Sequence, residues 1–353
     1  MTLTPSTTDR PALTEVKPFT PDVSARWEAF VARETAATFF HRAGWREVLE
    51  RAFGHPTYYL YAESNGQIEG ILPLGHIRSR LFGNALVSTP FCVYGGIVAT
   101  TPAAREALDR AACELAQRLG VDHLELRNLE PSGGGRPTKD LYVTFRKAID
   151  PDPEKNMLAI PRKQRAMVRK GINAGLVSAT DENLDRFYDT YAASVHRLGT
   201  PVFARKYFET LKAVFGNDCE ILCVAHEGRT VASVMNFYFR DEVLPYYGGG
   251  THAAREVAAN DFMYWEVMRR AAERGLKVFD YGRSKQGTGS YSFKKNWGFE
   301  PKPLPYEYVL VKSDTVPDVN PLNPKYRLFI EGWKRMPLAL SKVIGPWLAR
   351  SLG

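Results

Sequence analysis

At 353 residues, with 44% hydrophobic, 12% aromatic and 24% charged residues, the chain has a globular composition and the length for two domains of ordinary size. It holds no run of about 18 apolar residues, so no membrane span is expected. Its four cysteines, Cys92, Cys113, Cys219 and Cys223, lack metal-type Cys-x-x-Cys spacing and read as reduced, mostly buried thiols of a cytoplasmic protein. A net charge of +8 and a pI near 9.2 permit anionic partners without choosing among nucleic acid, nucleotide-linked sugars and anionic lipid.

Residues 1–21 are Thr- and Pro-rich, lack an apolar core and read as a disordered tail, not a signal peptide. Apolar residues at helical spacing (Trp27, Phe30, Val31) predict a helix over 24–34, and a second follows over 45–53. A strand at 58–62, the turn Asn65-Gly66 and a returning strand at 68–77 make a hairpin. Strands are expected at 85–88 and 96–98, then a helix over 102–119 stopped by Gly120, then a strand at 121–127. Pro151 and Pro153 mark a joint. Beyond it, residues 161–170 form a short, very basic helix that Gly171 ends, and Asp181 caps a helix reaching about residue 198.

The order then repeats. A helix over 204–215 precedes a strand at 219–226, the turn Glu227-Gly228, strands at 230–239 and 244–247, a helix over 260–274 and a strand at 277–281. The duplication is read from element order, since identity between the halves is low. It predicts an α/β (α+β) fold of two units with mixed sheets flanked by helices. The expected divisions are a tail at 1–21, an N-terminal domain at 22–150, a connector carrying the basic helix at 151–175, a C-terminal domain at 176–312 and a basic amphipathic segment at 313–353.

Between residues 278 and 307 an apolar run ends in Asp280-Tyr281, and a glycine-rich loop with Arg283 and Lys285 follows. Then come Tyr291-Ser292-Phe293-Lys294-Lys295-Asn296-Trp297-Gly298-Phe299. A polar loop at the carboxyl end of an apolar strand is where α/β proteins build a site. Asp280 reads either as a general base or orienter, or as a cap for the loop backbone. Arg283 and Lys285 suit an anionic or carbonyl group. Gly287-Thr288-Gly289 is neither a Walker loop nor a dinucleotide fingerprint, and Gln286 stands where a nucleophile elbow after Ser284 needs glycine. Lys294 and Lys295 are read on a short strand or turn, where neighbouring side chains face opposite sides, so one meets the site and the other meets solvent.

Three other stretches carry candidate chemistry. Tyr247 precedes the triplet Gly248-Gly249-Gly250, a candidate for close backbone approach to a ligand. Arg162, Lys163, Arg165 and Arg169 on the basic helix suit tRNA phosphate or a nucleotide diphosphate, or form a solvated face. Residues 320–353, with six Lys/Arg and one acid among leucines and tryptophans, suit packing on the domain or peripheral contact with an anionic membrane. The seven histidines show no metal-ligand spacing, and neither a metal nor a cofactor is expected.

The Tyr-x-Phe-Lys-Lys-x-Trp-Gly-Phe run resembles the Tyr-x-Phe-Lys-x-x-Phe-Gly segment of FemAB-type aminoacyltransferases. The longer run from Asp280 to Tyr291 is similar to FemAB-like proteins associated with exosortase/PEP-CTERM loci. This resemblance implies two GNAT-like domains, gives Lys294 an active-site role and implies a basic helix between the halves. Lys295 and Trp297 depart from the commonest FemAB pattern. The glycine loop that holds acetyl-CoA pyrophosphate at a helix N-terminus is missing before residue 260, where Val257-Ala258-Ala259-Asn260 stand.

Two functions are therefore in view. The first is an acyl- or aminoacyltransferase acting in the cytoplasm, or at the inner face of the membrane, on an envelope or exopolysaccharide precursor. Its donor would be aminoacyl-tRNA or an acyl thioester. Lys294, Asp280 and Tyr281 would be catalytic, and Arg283, Lys285, Tyr247, Tyr291 and Lys295 would bind substrate. The second is a non-catalytic binding or scaffold protein of the same fold.

Overall fold

The structure, a computed structural model, describes residues 14–79, 82–317 and 324–352. Among these residues the chain builds three sheets. A four-stranded sheet runs Glu15–Pro18, Leu60–Ser64, Gln67–Leu72, Val98–Ala99. A five-stranded sheet runs Leu74–Ser79, Gly83–Ser88, His123–Arg127, Tyr306–Leu310, Thr138–Lys139. A seven-stranded sheet runs Val177–Thr180, Cys219–His226, Arg229–Phe239, Glu242–Gly250, Val278–Lys285, Tyr142–Ala148, Pro301–Pro303. All pairings between named strands are antiparallel except 85–87 with 123–125 and 242–243 with 278–279. This is the mixed α/β architecture that the repeated element order predicts.

The helices follow their patterns closely. Pro102–Leu119 starts at Thr101, whose hydroxyl accepts the Ala104 amide, and ends at Gly120. Helix Ala259–Glu273 buries most of its circumference, as a helix against the middle of a sheet must. No helix among the described residues is long and apolar enough to cross a membrane.

Several expectations need correction. Within the predicted tail, residues 1–13 lie outside the described residues, but Glu15–Pro18 pairs antiparallel with Leu60–Ser64 and is part of a sheet. The single returning strand at 68–77 is two strands in different sheets. Pro73 supplies no amide to continue a ladder, and the chain changes sheet there. The second helix is Gly44–Val48, continued by a wide turn at Leu49–Phe53. The basic helix is Arg162–Asn173 and passes through Gly171. There glycine serves packing, because a Cβ would stand 2.8 Å from Phe262 Cβ. Asn183, not Asp181, caps helix Leu184–Arg197; Asp181 accepts the Asn183 amide one step earlier.

Tyr142–Ala148 precedes the predicted joint, yet it lies inside the seven-stranded sheet of the second half. Conversely, Tyr306–Leu310 lies inside the five-stranded sheet of the first half. Each half therefore completes a sheet of the other. The main core also crosses between halves: Phe39 stacks on Phe237 at 4.6 Å and meets Phe215 at 4.6 Å, and Phe40 meets Tyr246 at 5.1 Å. Each buried ring contributes roughly 2 kcal/mol, so the halves form one hydrophobic unit.

Candidate active site

Strand Val278–Lys285 carries the candidate site. Phe279 and Tyr281 face the apolar core while Asp280 faces the other way, as strand alternation requires. On one side the strand pairs in parallel with Glu242 and Val243 only, then the two strands diverge. On the other side its register with Tyr142–Ala148 breaks between Asp280 and Arg283. The break centres on Gly282, whose φ of 63° is a left-handed conformation that glycine adopts at little cost.

Asp280 holds this bulge. Its Oδ1 accepts the Gly282 amide at 2.7 Å, and its Oδ2 accepts Arg146 Nη1 at 2.9 Å and Tyr94 Oη at 3.2 Å. Arg146 also pairs with Glu242, and Tyr94 bonds Thr144. Burial lifts the Asp280 carboxyl above its usual range, and Arg146, the bulge amide and Tyr94 oppose that lift. Only 1% exposed and surrounded by donors, Asp280 is the backbone cap and ion-pair partner, with no open face for a general base.

Lys294 lies on helix Gly289–Asn296, which Thr288 caps by accepting the Tyr291 amide. The helix replaces the expected strand or turn. Successive residues then differ by about 100° in direction, and this rotation, rather than strand alternation, separates the two lysines. Lys295 is exposed. Lys294 points down, and its ammonium donates to the carbonyls of Tyr281, Arg283 and Gly282 at 2.7, 2.9 and 3.2 Å. Burial pulls its pKa down to about 7, against the pull of Asp280 and with the help of Arg283.

Arg283 sits over Tyr142 at 4.8 Å and Tyr306 at 5.9 Å, and donates one hydrogen bond to Tyr306 Oη at 3.3 Å. It forms no ion pair among the described residues, so most of its donors are uncommitted. Across the same Tyr306 ring lies Arg127, which bonds Glu125 Oε1 at 2.8 Å and the Cys92 carbonyl at 2.7 Å. Lys285 lies 5.6 Å above Tyr142, and Tyr291 packs edge-on against Phe145.

Asp280, Arg283, Lys285 and Lys294 thus come together, and Tyr291 stands on the Lys294 helix. The other candidates do not join them. Tyr281 is core: its ring meets Phe279 and Phe299 at 4.7 Å each, and burial raises its hydroxyl pKa well above the usual value. What it contributes is its carbonyl. Tyr247 is also buried, with its hydroxyl 2.7 Å from that of Tyr207. The glycine triplet serves packing as well: a Cβ on Gly249 would stand 2.3 Å from Ser194 Cβ, and one on Gly250 2.6 Å from Ala254 Cβ.

The basic helix adjoins the site through its scaffold. Pro161 packs on Gly298, just beyond the Lys294 helix. Asp261 accepts both Gln164 from the basic helix and Trp297 Nε1, the latter at 3.0 Å. Arg162, Arg165, Arg169 and Lys170 line an open trough of about 700 Å³. None of them, nor Lys163, forms an ion pair among the described residues; Arg165 bonds the Leu158 carbonyl at 3.3 Å.

Sequence reasoning missed the first-half side of the site: Tyr94, Arg127, Tyr142, Thr144 and Arg146. One signal was available. Tyr142, Thr144 and Arg146 recur at every second residue, which puts polar groups on one face of a strand otherwise fit for a core.

A splayed parallel strand pair with a crossing helix before it and a short helix after it is a GNAT-like arrangement. Residues 159–295 match the family model described as acetyltransferase (GNAT) domain. FemX superposes with a TM-score of 0.67 at 14% identity, covering 90% of this chain and all of FemX. The C-terminal domain of a protein assigned as a lysylphosphatidylglycerol synthetase from Agrobacterium fabrum gives 0.56 at 12% identity, covering 82% of this chain and 92% of that one. A tandem GNAT protein from the clavulanic acid biosynthesis pathway gives 0.54 at 16% identity, covering 87% of this chain and all of that one. At these identities the likeness is one of fold. No curated protein sequence matches the chain.

Proposed function

We propose that the protein transfers an activated acyl or aminoacyl group to an amine or hydroxyl of a cell-envelope or exopolysaccharide precursor. The observation that carries this reading is Lys294: a half-buried ammonium tied to three backbone carbonyls, its pKa pulled down to about 7, fixed over the mouth of a splayed GNAT-like strand pair. Attack of the acceptor on the donor carbonyl creates an oxyanion, and a preorganised cation stabilises it most where water is excluded. The longest Lys294 bond, to the Gly282 carbonyl, is the one an oxyanion would replace. Arg283, with its spare donors, binds the anionic part of the acceptor. Arg162, Arg165 and Arg169 contact phosphates of the donor, an aminoacyl-tRNA or a nucleotide-bearing acyl thioester.

A second reading, a binding module with the same fold, draws on the saturation of Lys294 by three carbonyls and the enclosure of Asp280. One experiment separates the two. Purified protein is mixed with labelled aminoacyl-tRNA or acyl thioesters and an envelope precursor, and donor consumption is followed in a single turnover. Acceptor-dependent consumption that Lys294→Ala abolishes supports the transferase. Donors left intact across the panel would instead support the binding module.

A further inference from the structure

Of the eleven large apolar side chains exposed among the described residues, six lie within residues 328–352. The helix Leu338–Ala349 is packed the reverse of an ordinary surface helix. Its buried residues are Ser341, Gly345, Leu348 and Ala349, and Leu338 packs partly buried against the main core beside them. A Cβ on Gly345 would stand 2.9 Å from the Val202 amide nitrogen, so this face is drawn close to the body. Its outward face carries Leu340, Val343 and Trp347, which are 45%, 74% and 61% exposed and recur at helical spacing. Leu328, on the helix before it, is 85% exposed.

The segment is firmly held. His196 Nε2 donates to the Met336 carbonyl at 2.8 Å, and Lys342 pairs with Asp189 at 2.6 Å. At its far end His55 Nε2 donates to the Arg350 carbonyl at 2.6 Å, and Arg350 donates to the Phe53 carbonyl at 2.9 Å. The apolar stripe is therefore presented to solvent on a strap tied to both halves of the molecule.

We propose that this stripe docks the protein on the surface of an anionic lipid bilayer. Residues 328–352 carry four cations, Lys334, Arg335, Lys342 and Arg350, against one acid, Glu331; Lys334 pairs with Glu331 and Lys342 with Asp189, while Arg335 and Arg350 form no ion pair among the described residues. A second copy placed against the same face would oppose cations to cations, whereas an anionic leaflet complements them. An exposed tryptophan among aliphatic side chains suits the headgroup boundary, where an apolar ring enters and its N–H stays hydrated. The interaction is peripheral, since the helix has 12 residues and a span needs about 20. It places the protein where a lipid-borne acceptor would be found, yet it stands independently of the transfer chemistry.

The test is co-sedimentation of the full chain with vesicles of phosphatidylglycerol mixed with phosphatidylcholine, and with phosphatidylcholine alone, in the absence of donor and acceptor. Binding is expected to the anionic vesicles and to weaken with added salt. A variant with Leu340→Ser, Val343→Ser and Trp347→Ser together should partition about tenfold less or weaker still, with its melting curve as the folding control. Arg335→Gln, at an exposed position, removes one charge, tests the charge separately and should weaken binding about fivefold. The proposal is overturned if the wild type ignores anionic vesicles or if both variants bind as it does. It is equally overturned if sedimentation velocity shows a dimer that the triple variant dissociates, which would assign the face to a second copy. Because no substrate is present, failure here leaves the transferase reading untouched, and the converse also holds.

Discussion

Replacing Lys294 with alanine removes three donors from the carbonyls of Tyr281, Gly282 and Arg283. A hydrogen bond from a charged group contributes roughly 1.5 kcal/mol or more net, and two of these three are short. The desolvation that draws the lysine pKa down to about 7 offsets part of this gain. The expected loss of stability is about 3 kcal/mol. Loss of one preorganised charge donor should also slow transfer about a hundredfold or more. Urea denaturation at neutral pH measures the first effect, and single-turnover transfer well below the melting transition measures the second. Lys295→Ala is the control: its exposed side chain should matter by less than about 0.5 kcal/mol and leave the rate alone. An unchanged urea midpoint for Lys294→Ala would refute the three-carbonyl anchor. An unchanged rate would make the lysine structural.

The same group sets a pH dependence. Its folded pKa of about 7 lies below its ordinary 10.5, so an ammonium-dependent transfer should fall as pH rises through about 7, whereas a rate that rises there would make Lys294 a base. In that window, from about 7 to 10.5, the unfolded chain binds the proton more tightly, so this group makes stability increase with pH, which denaturation across pH would show. Asp280→Asn leaves the Arg146 charge short of a partner and should cost about 3 kcal/mol by urea denaturation. Gly249→Ala forces a Cβ onto Ser194 and should cost roughly 1–3 kcal/mol, with Ser194→Gly restoring most of it in a melting comparison. Acetyl-CoA should show no micromolar affinity by calorimetry, because no glycine loop precedes helix Ala259–Glu273.

Much of the fold was legible because it rests on local signals. The hairpin turns, the stop of Pro102–Leu119 at Gly120 and the order of elements in each half are written in periodicity, caps and turns over a few residues. The region of the site was legible too, since Asp280, Arg283, Lys285 and Lys294 lie within 15 residues of one another. Their roles were less so. A single-residue distinction between Lys294 and Lys295 depends on whether the segment is a strand or a helix, and eight residues with mixed polarity satisfy either period.

The tertiary structure decided what lies opposite each group. The exchange of Tyr142–Ala148 and Tyr306–Leu310 between halves is a matter of edge pairing at long range, and no local pattern records which sheet a strand completes. That exchange brings Arg146 to Asp280 and Tyr142 to Arg283, turning a candidate base into a buried ion pair and a candidate binder into a stacked guanidinium with no ion pair among the described residues. The sequence reading made Tyr281 catalytic and Tyr247 a substrate binder, but burial puts both rings in the core. In helix Leu338–Ala349 the composition alone shows an apolar segment; only its packing, with the small residues inward, leaves Trp347 and Val343 to the solvent.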